Sequence, residues 1–234
     1  LVDLKTAIED ETDLTVNPTL YSWYQGEGNS GRGKIMVGSN TVFLTREKGW
    51  PSYPANIRQS FDNYGDAVIA VITRLSGEGT DVSATGSDGV DGSYLSLTAE
   101  ERSVLEQMKA MKDSGKVGKI IVLINSAVTV QCDFLSDETL GIDAAIWMGL
   151  PGGTGTRAVA QALVGKINPS GRLSDTFLND NFAAPAAAYW KVNSGFSSQY
   201  ANASELGLNV SQQYYGVYVE NIYVGYRYFE TRYE

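Results

Sequence analysis

The 234-residue sequence contains no histidine. That absence excludes Ser-His-Asp and Cys-His catalysis within the chain, together with every histidine-based zinc or iron centre. Catalytic chemistry carried by these residues has to run on carboxylates, tyrosine, lysine or backbone groups. A single cysteine, Cys132, excludes an internal disulfide framework and says little about compartment. Basic residues are the minority, 18 against 27 acidic ones, giving a net charge of −9. Nucleic acid is therefore not an expected partner, since its phosphates call for clustered Lys and Arg. An acidic balance first of all means solubility, and it suits neutral substrates. Long apolar runs are missing as well. The longest, Ala67 to Ile72 and Ile120 to Ile124, fall far short of the roughly 20 residues of a membrane span. No basic segment followed by an apolar stretch opens the chain, so no signal peptide is read there. The abrupt start at Leu1, on a helical pattern, leaves open that a leader has been removed.

What is present is the alternation of an α/β protein. Leu4 and Ile8 stand at i and i+4 in a short amphipathic helix over Val2 to Glu9. Asn17-Pro18 breaks the chain, Thr19 to Tyr24 restarts a helix, Gly26 to Gly33 is loop-like, and Ile35 to Thr45 holds one or two short strands. DAVIAVIT, Asp66 to Thr73, is a continuous apolar run of strand length, as buried parallel strands are. A glycine-punctuated loop, Arg74 to Asp81, follows it, then a second Gly/Ser/Asp loop from Thr85 to Ser93. Thr98-Ala99-Glu100-Glu101 is a capping box, and Val104, Leu105, Met108 and Met111 form the stripe of the helix it opens, which Ser114-Gly115 stops. Lys119 to Asn125 and Asp143 to Gly149 read as second and third buried strands. A helix over Thr156 to Val164 ends at Gly165 before the turn Asn168-Pro169-Ser170-Gly171. The predicted fold is an α/β sandwich, a mostly parallel sheet covered by helices on both faces. The alternation of Val217 and Val219, then Ile222 and Val224, in the tyrosine-rich tail suggests extended structure. No internal repeat or linker stands out.

Two loops invite chemistry. Open parallel sheets bind ligands at the carboxyl ends of their strands, and Ser76-Gly77-Glu78-Gly79 directly follows the Asp66 to Thr73 strand. A carboxylate between two glycines there suits a general acid, whose pKa an enclosed site raises. A tight turn with a solvated Glu is the plainer reading of the spacing alone. Pro151-Gly152-Gly153-Thr154-Gly155-Thr156-Arg157 leads from strand to helix, as phosphate-cradling turns do. It lacks the Walker Lys-Ser/Thr pair, and Asp175, near the distance where a dinucleotide site wants its acid, follows a turn instead of a strand. Close packing of helix on strand explains those glycines equally. Trp23, Trp50, Trp147 and Trp190 offer indole faces for a pyranose, although core packing accounts for each one singly.

At these residues the sequence resembles the C-terminal-type α/β sandwich of glycoside hydrolase family 3. LSGEGTD (Leu75 to Asp81) is similar to the family's SGEG-type loop, and KIIVLINSAVTV (Lys119 to Val130) to its next strand. DAAIWMGLPGGTGTRAVAQALVGKINPSGRLSDTF (Asp143 to Phe177) resembles its longest signature. YVENIYVGYRYFETR (Tyr218 to Arg232) resembles the stretch before its fibronectin-like domain, and Leu14 to Tyr24 the helix-break-helix before its sheet. The resemblance implies a retaining β-glycosidase of β-glucosidase or β-xylosidase type, with no metal or organic cofactor. It places the nucleophile on a separate (β/α)-barrel domain and the catalytic acid/base at Glu78. Arg74 and Asp81 flank Glu78, as candidates to tune its proton affinity or bind the sugar. The partner is then a β-linked oligosaccharide or glycoside held at the interface with that barrel, which 234 residues cannot also contain, a barrel needing about 250. The whole chain is expected to be one such domain of a larger enzyme, inactive alone. A non-catalytic carbohydrate-binding module of the same fold, and a nucleotide-binding domain resting on the glycine turn, are the alternatives.

Overall fold

The structure, a computed structural model, describes residues 1–26, 33–37, 40–44, 47–74, 95–185 and 220–233. The chain divides into two compact units. The first comprises Leu1–Val82, Leu97–Val128 and Asp133–Arg172; the second comprises Ser83–Ser96, Thr129–Cys132 and Leu173–Glu234.

The first unit is built on three parallel strands in sequential order: β3 (Ala67–Arg74), β4 (Lys119–Ser126) and β5 (Ala144–Trp147). Val68 pairs with Ile120 and Ile72 with Ile124, so alternate apolar side chains of the two strands share one face. On that face lies α4 (Ala99–Asp113), the crossover a parallel pair requires. Its buried Val104, Leu105, Met108 and Met111 meet fully or nearly fully buried Val68, Ile72, Ile120, Val122 and Ile124. At roughly 1.5–3 kcal/mol for each large apolar side chain taken out of water, this layer is the main favourable term of the unit. The opposite face carries α1 (Leu4–Glu11) and α5 (Thr156–Leu163). Ala7, Ile8 and Ala160 form a small core there, with Ile69 of β3 and Leu163 packed against it. The sheet is thus covered on both faces, as the sequence pattern predicts. An antiparallel hairpin, β1 (Gly33–Val37) with β2 (Asn40–Leu44), accounts for the short strands expected over Ile35 to Thr45.

Local chemistry sets the helix boundaries. Asp3 caps α1 by accepting the Thr6 N–H at 2.7 Å, and Asn17 caps α2 (Pro18–Gln25) by accepting from Thr19 and Leu20. Pro18 sits in the first turn of α2, where its missing N–H costs nothing. The capping box at Thr98 forms in full: the Glu101 N–H donates to Thr98 Oγ1, and the Thr98 N–H donates to the Glu101 carboxylate. Gly115, at φ +75°, ends α4 in the left-handed conformation that a side chain would strain.

Two expectations need correction. The run Asp143 to Gly149 is not a buried third strand: only Ala144–Trp147 pair, and Ala144 and Ala145 are exposed. Its apolar content reflects an edge position half covered by neighbours, which periodicity cannot distinguish from a central one. The tail is not extended throughout, because residues Tyr226–Tyr233 form α6 in the second unit. The alternation read there shifts phase between Val219 and Ile222, and Gly225 at φ +58° breaks the backbone. Val217 and Val219 lie outside the described residues. A short helix, α3 (Ala55–Ser60), follows Pro54 and had no periodic signal long enough to find it. In the second unit the Gln131 N–H donates to Leu95 O and the Cys132 N–H to Leu178 O. Among the described residues no helix is long and apolar enough to cross a membrane.

The end of β3 and the start of α4 are joined by one buried ion pair. Arg74 Nη1 and Nη2 donate to Glu101 Oε1 and Oε2 at 2.8 and 2.7 Å, with the two side chains 2% and 7% exposed. Removing one partner of such a pair strands a buried charge, which costs about 3–5 kcal/mol. Arg74→Met is therefore expected to destabilise the chain by about that amount in chemical denaturation. Arg74→Met with Glu101→Leu is expected to recover much of the loss, since no lone charge is left. At the opposite end of the sheet, Asp143 takes hydrogen bonds from Lys112 and from the Ile120 N–H. These hold its carboxyl down to about 2, below its ordinary 3.8. Its contribution to stability is complete above the unfolded value and is lost as pH falls from about 4 through about 2. Comparing acid unfolding of the wild type with Asp143→Asn is expected to show that part of the acid sensitivity disappear.

Candidate functional site

The carboxyl ends of parallel strands, with the amino end of the following helix, are where open α/β sheets bind ligands. Here that rim is formed by the end of β3, the end of β4 and the first turn of α4. Arg74, the last residue of β3, leads into the loop that carries Glu78 and Asp81. Both of these candidate residues lie outside the described residues. Arg74 is described. It is 2% exposed, and its guanidinium is engaged by Glu101 and by Thr73 O at 2.8 Å. Glu101, in turn, is fixed by the capping box. One carboxylate thus ties the last residue of β3 to the first turn of α4.

The end of β4 is also locked. Ser126 is fully buried, and its hydroxyl donates to Val128 O and accepts the Val128 N–H. The Trp147 indole donates to Ser126 O at 2.7 Å, and Asn125 Nδ2 donates to Gly149 O at 2.8 Å. Trp147 is thereby engaged by the strand end beside it. Trp23 is a core residue, 8% exposed, and Trp50 packs against Tyr53 and Phe61 under the Arg58 guanidinium. Trp190 lies outside the described residues.

The glycine turn before α5 is occupied by the chain itself. Gly153 O accepts the Val2 N–H and Thr156 Oγ1 donates to Val2 O, both at 2.8 Å, so the turn docks the segment leading into α1. A Cβ at Gly155 would stand 2.4 Å from Pro151 O. Gly155 alone is required by close backbone approach, within the turn itself; Gly152 stands at φ +66°, and a Cβ at Gly152 or Gly153 would meet nothing within 4 Å.

One group of polar residues was not foreseen. Glu47 Oε1 accepts hydrogen bonds from the Tyr24 hydroxyl at 2.9 Å, the Lys48 N–H at 2.7 Å and, more weakly, the Tyr53 hydroxyl at 3.4 Å. The Tyr24 and Tyr53 hydroxyls also bond each other. Burial, with help from the nearby Glu101 charge, raises the Glu47 carboxyl above its ordinary range despite those donors. Burial first, then the Glu47 charge, raises both tyrosines far above theirs, so the phenols stay protonated donors. The segment is pinned to α4, because the Trp50 N–H donates to Ser103 Oγ at 3.0 Å. These residues are 6 to 29 positions apart in sequence. Glu-Lys-Gly-Trp-Pro has no periodicity that links it to Tyr24.

The sequence profile of the glycosyl hydrolase family 3 C-terminal domain matches residues 54–226, well over half of the chain. Beta-glucosidase A of Butyrivibrio fibrisolvens is 31% identical over 199 residues, covering 77% of this chain and 21% of that protein. A beta-glucosidase of Ruminococcus albus is 29% identical over 167 residues, 71% of this chain and 14% of that protein. A xylan 1,4-beta-xylosidase of Xylanibacter ruminicola is 33% identical over 114 residues, 47% and 12% respectively. The crystal structure of a beta-glucosidase from Paenibacillus barengoltzii shares the fold, with a TM-score of 0.68 at 24% identity over 98% of this chain and 22% of that one. The chain therefore spans about a fifth or less of the length of each of these relatives. With the family profile spanning most of the sequence and the parallel sheet, its two helical layers and the glycine turn before α5 all formed, this chain belongs to the glycosyl hydrolase family 3 C-terminal domains.

Proposed function

We propose that the chain is the acid/base-bearing domain of a larger retaining β-glycosidase, of β-glucosidase or β-xylosidase type, with Glu78 as the acid/base. The observation that carries this reading is positional. In a family 3 domain whose relatives are named as β-glucosidases and a β-xylosidase, Glu78, flanked by Gly77 and Gly79, follows the end of β3 by four residues. That is the ligand end of a parallel sheet.

In the first step Glu78 donates its proton to the glycosidic oxygen as the C–O bond breaks and a carboxylate of the barrel domain bonds the anomeric carbon. In the second, Glu78 takes a proton from water as the water oxygen displaces that carboxylate, releasing the sugar with retained configuration. Asp81, three residues after Glu78, enters this reading as a residue that contacts the sugar or tunes the acid. Arg74, occupied by Glu101, enters it as the residue that fixes where the loop begins. The chain alone, lacking a nucleophile, is expected to hydrolyse nothing.

The full-length enzyme with Glu78→Ala tests the assignment. On glycosides with poor leaving groups, kcat/KM is expected to fall by about 10²–10⁴. On leaving groups that depart without protonation the first step is expected to survive, and the basic limb of the pH profile is expected to vanish. Undiminished hydrolysis of poor leaving groups would remove Glu78 from the reaction.

A further inference from the structure

The group around Glu47 is not used by the mechanism above, yet it lies at the same rim. Its three hydrogen bonds converge on one oxygen, Oε1. Oε2 accepts none of them, and Glu47 is half-buried. The carboxyl is therefore held through one oxygen, and among the described residues the other accepts no hydrogen bond. The holding is stiff. Tyr24 and Tyr53 belong to an aromatic cluster with Trp23 and Trp50, with ring centroids 4.5 to 5.1 Å apart in three of the pairs. Tyr53 is 3% exposed. The Lys48 N–H and the Trp50–Ser103 bond fix the backbone on either side against α4.

A carboxyl prepared in this way is an acceptor with a fixed direction. An oxygen with no protein donor in a half-buried site is satisfied by water in the free protein, and a donor on a bound ligand replaces that water. The guanidinium groups at the first turn of α4 are already engaged: Glu101 takes Arg74 bidentately, and Asp137 takes Arg102. A neutral hydroxyl is the donor that fits: it brings no charge of its own and makes a charge-assisted hydrogen bond, stronger than a neutral one.

We infer that Glu47 is a substrate-positioning residue, its Oε1 anchored by Tyr24, Tyr53 and the Lys48 amide so that Oε2 accepts a hydrogen bond from one hydroxyl of a neutral pyranoside bound at the end of β3. This inference rests on the glycosidase reading for its ligand class but not on the identity of the acid/base. The raised proton affinity of the carboxyl fits its low-polarity surroundings. As pH rises and the carboxylate forms, the hydroxyl contact strengthens.

The test uses the full-length enzyme, wild type and Glu47→Gln, with an aryl β-glycoside and its series of monodeoxy analogues. Glutamine keeps an oxygen for the tyrosines and places an amide donor where Oε2 stood. KM is expected to rise about 10- to 100-fold, the size of a charge-assisted hydrogen bond, with kcat within a few fold, as when binding common to ground and transition states is lost. The deficit is expected to disappear on the one analogue that lacks the bonded hydroxyl. A purely structural role predicts an equal deficit on every analogue; that result, or an unchanged KM throughout, overturns the inference. Glu47→Asp, which withdraws the carboxylate by one methylene, is expected to raise KM with the same analogue pattern, and a wild-type KM in it also counts against Glu47. Activity retained in Glu78→Ala beside a selective deficit in Glu47→Gln would remove the acid/base assignment and leave Glu47 standing; the reverse pair of results would do the opposite. A wild-type enzyme that neither binds nor cleaves any glycoside overturns both.

Discussion

Arg74 and Glu101 form the contact on which the functional rim of this domain depends. Two charges that are nearly inaccessible to solvent are tolerable because they pair with each other and with neighbouring backbone groups. The guanidinium meets the carboxylate bidentately, and the carboxylate also accepts the Thr98 N–H. The pair ties a strand end to a helix start across 27 positions of sequence. The negative charge it places near the α4 terminus interacts favourably with the helix dipole. It also acts on its surroundings, adding to the burial that raises the Glu47 carboxyl. A hydrophobic pair of equal volume would hold the same elements together at no greater cost. What the ion pair adds is direction, since a bidentate fork permits one register of strand end against helix.

The chemistry proposed for the domain follows from that geometry and from what the chain does not contain. Without histidine, any acid/base work of the chain falls to carboxylates, tyrosine, lysine or backbone groups. Glu47 precedes Arg74 in sequence and Glu78 follows it, and the proposals give them different parts, one holding a hydroxyl and the other moving a proton. Giving the two tasks to two carboxyls, one of them anchored by hydrogen bonds, separates groups that would otherwise compete for one proton. The large apolar layer between α4 and the two long strands is the rigid floor of the rim.

Much of this was legible in the sequence, for physical reasons that can be named. The two long strands announced themselves because both of their faces are covered, which demands continuous apolar runs. The Thr98–Glu101 box was readable because capping is local, closing within one helical turn. β5 misled because an edge strand and a central one carry the same four apolar residues. The tail misled because a two-residue alternation interrupted by a phase shift is not a strand pattern. Arg74 was singled out for its place beside Glu78, yet its partner could not be read, since 27 residues separate them. The Glu47 group was invisible for the same reason: it is made by folding α2 and the segment before α3 onto α4, and nothing local in any of them implies the others. Family resemblance supplied what local physics could not, the expectation that the acid/base is the Glu of the SGEG motif.

The most direct test of the central claim is the product formed when the full-length enzyme with Glu78→Ala turns over an activated aryl β-glycoside in the presence of azide. Removing the acid/base leaves room for a small anion on the face from which water normally attacks the glycosyl-enzyme, and azide needs no general base. Accumulation of the β-configured glycosyl azide, read by proton NMR, is the result this account predicts. Formation of the α-configured azide, or no azide product while hydrolysis proceeds at the wild-type rate, would contradict it.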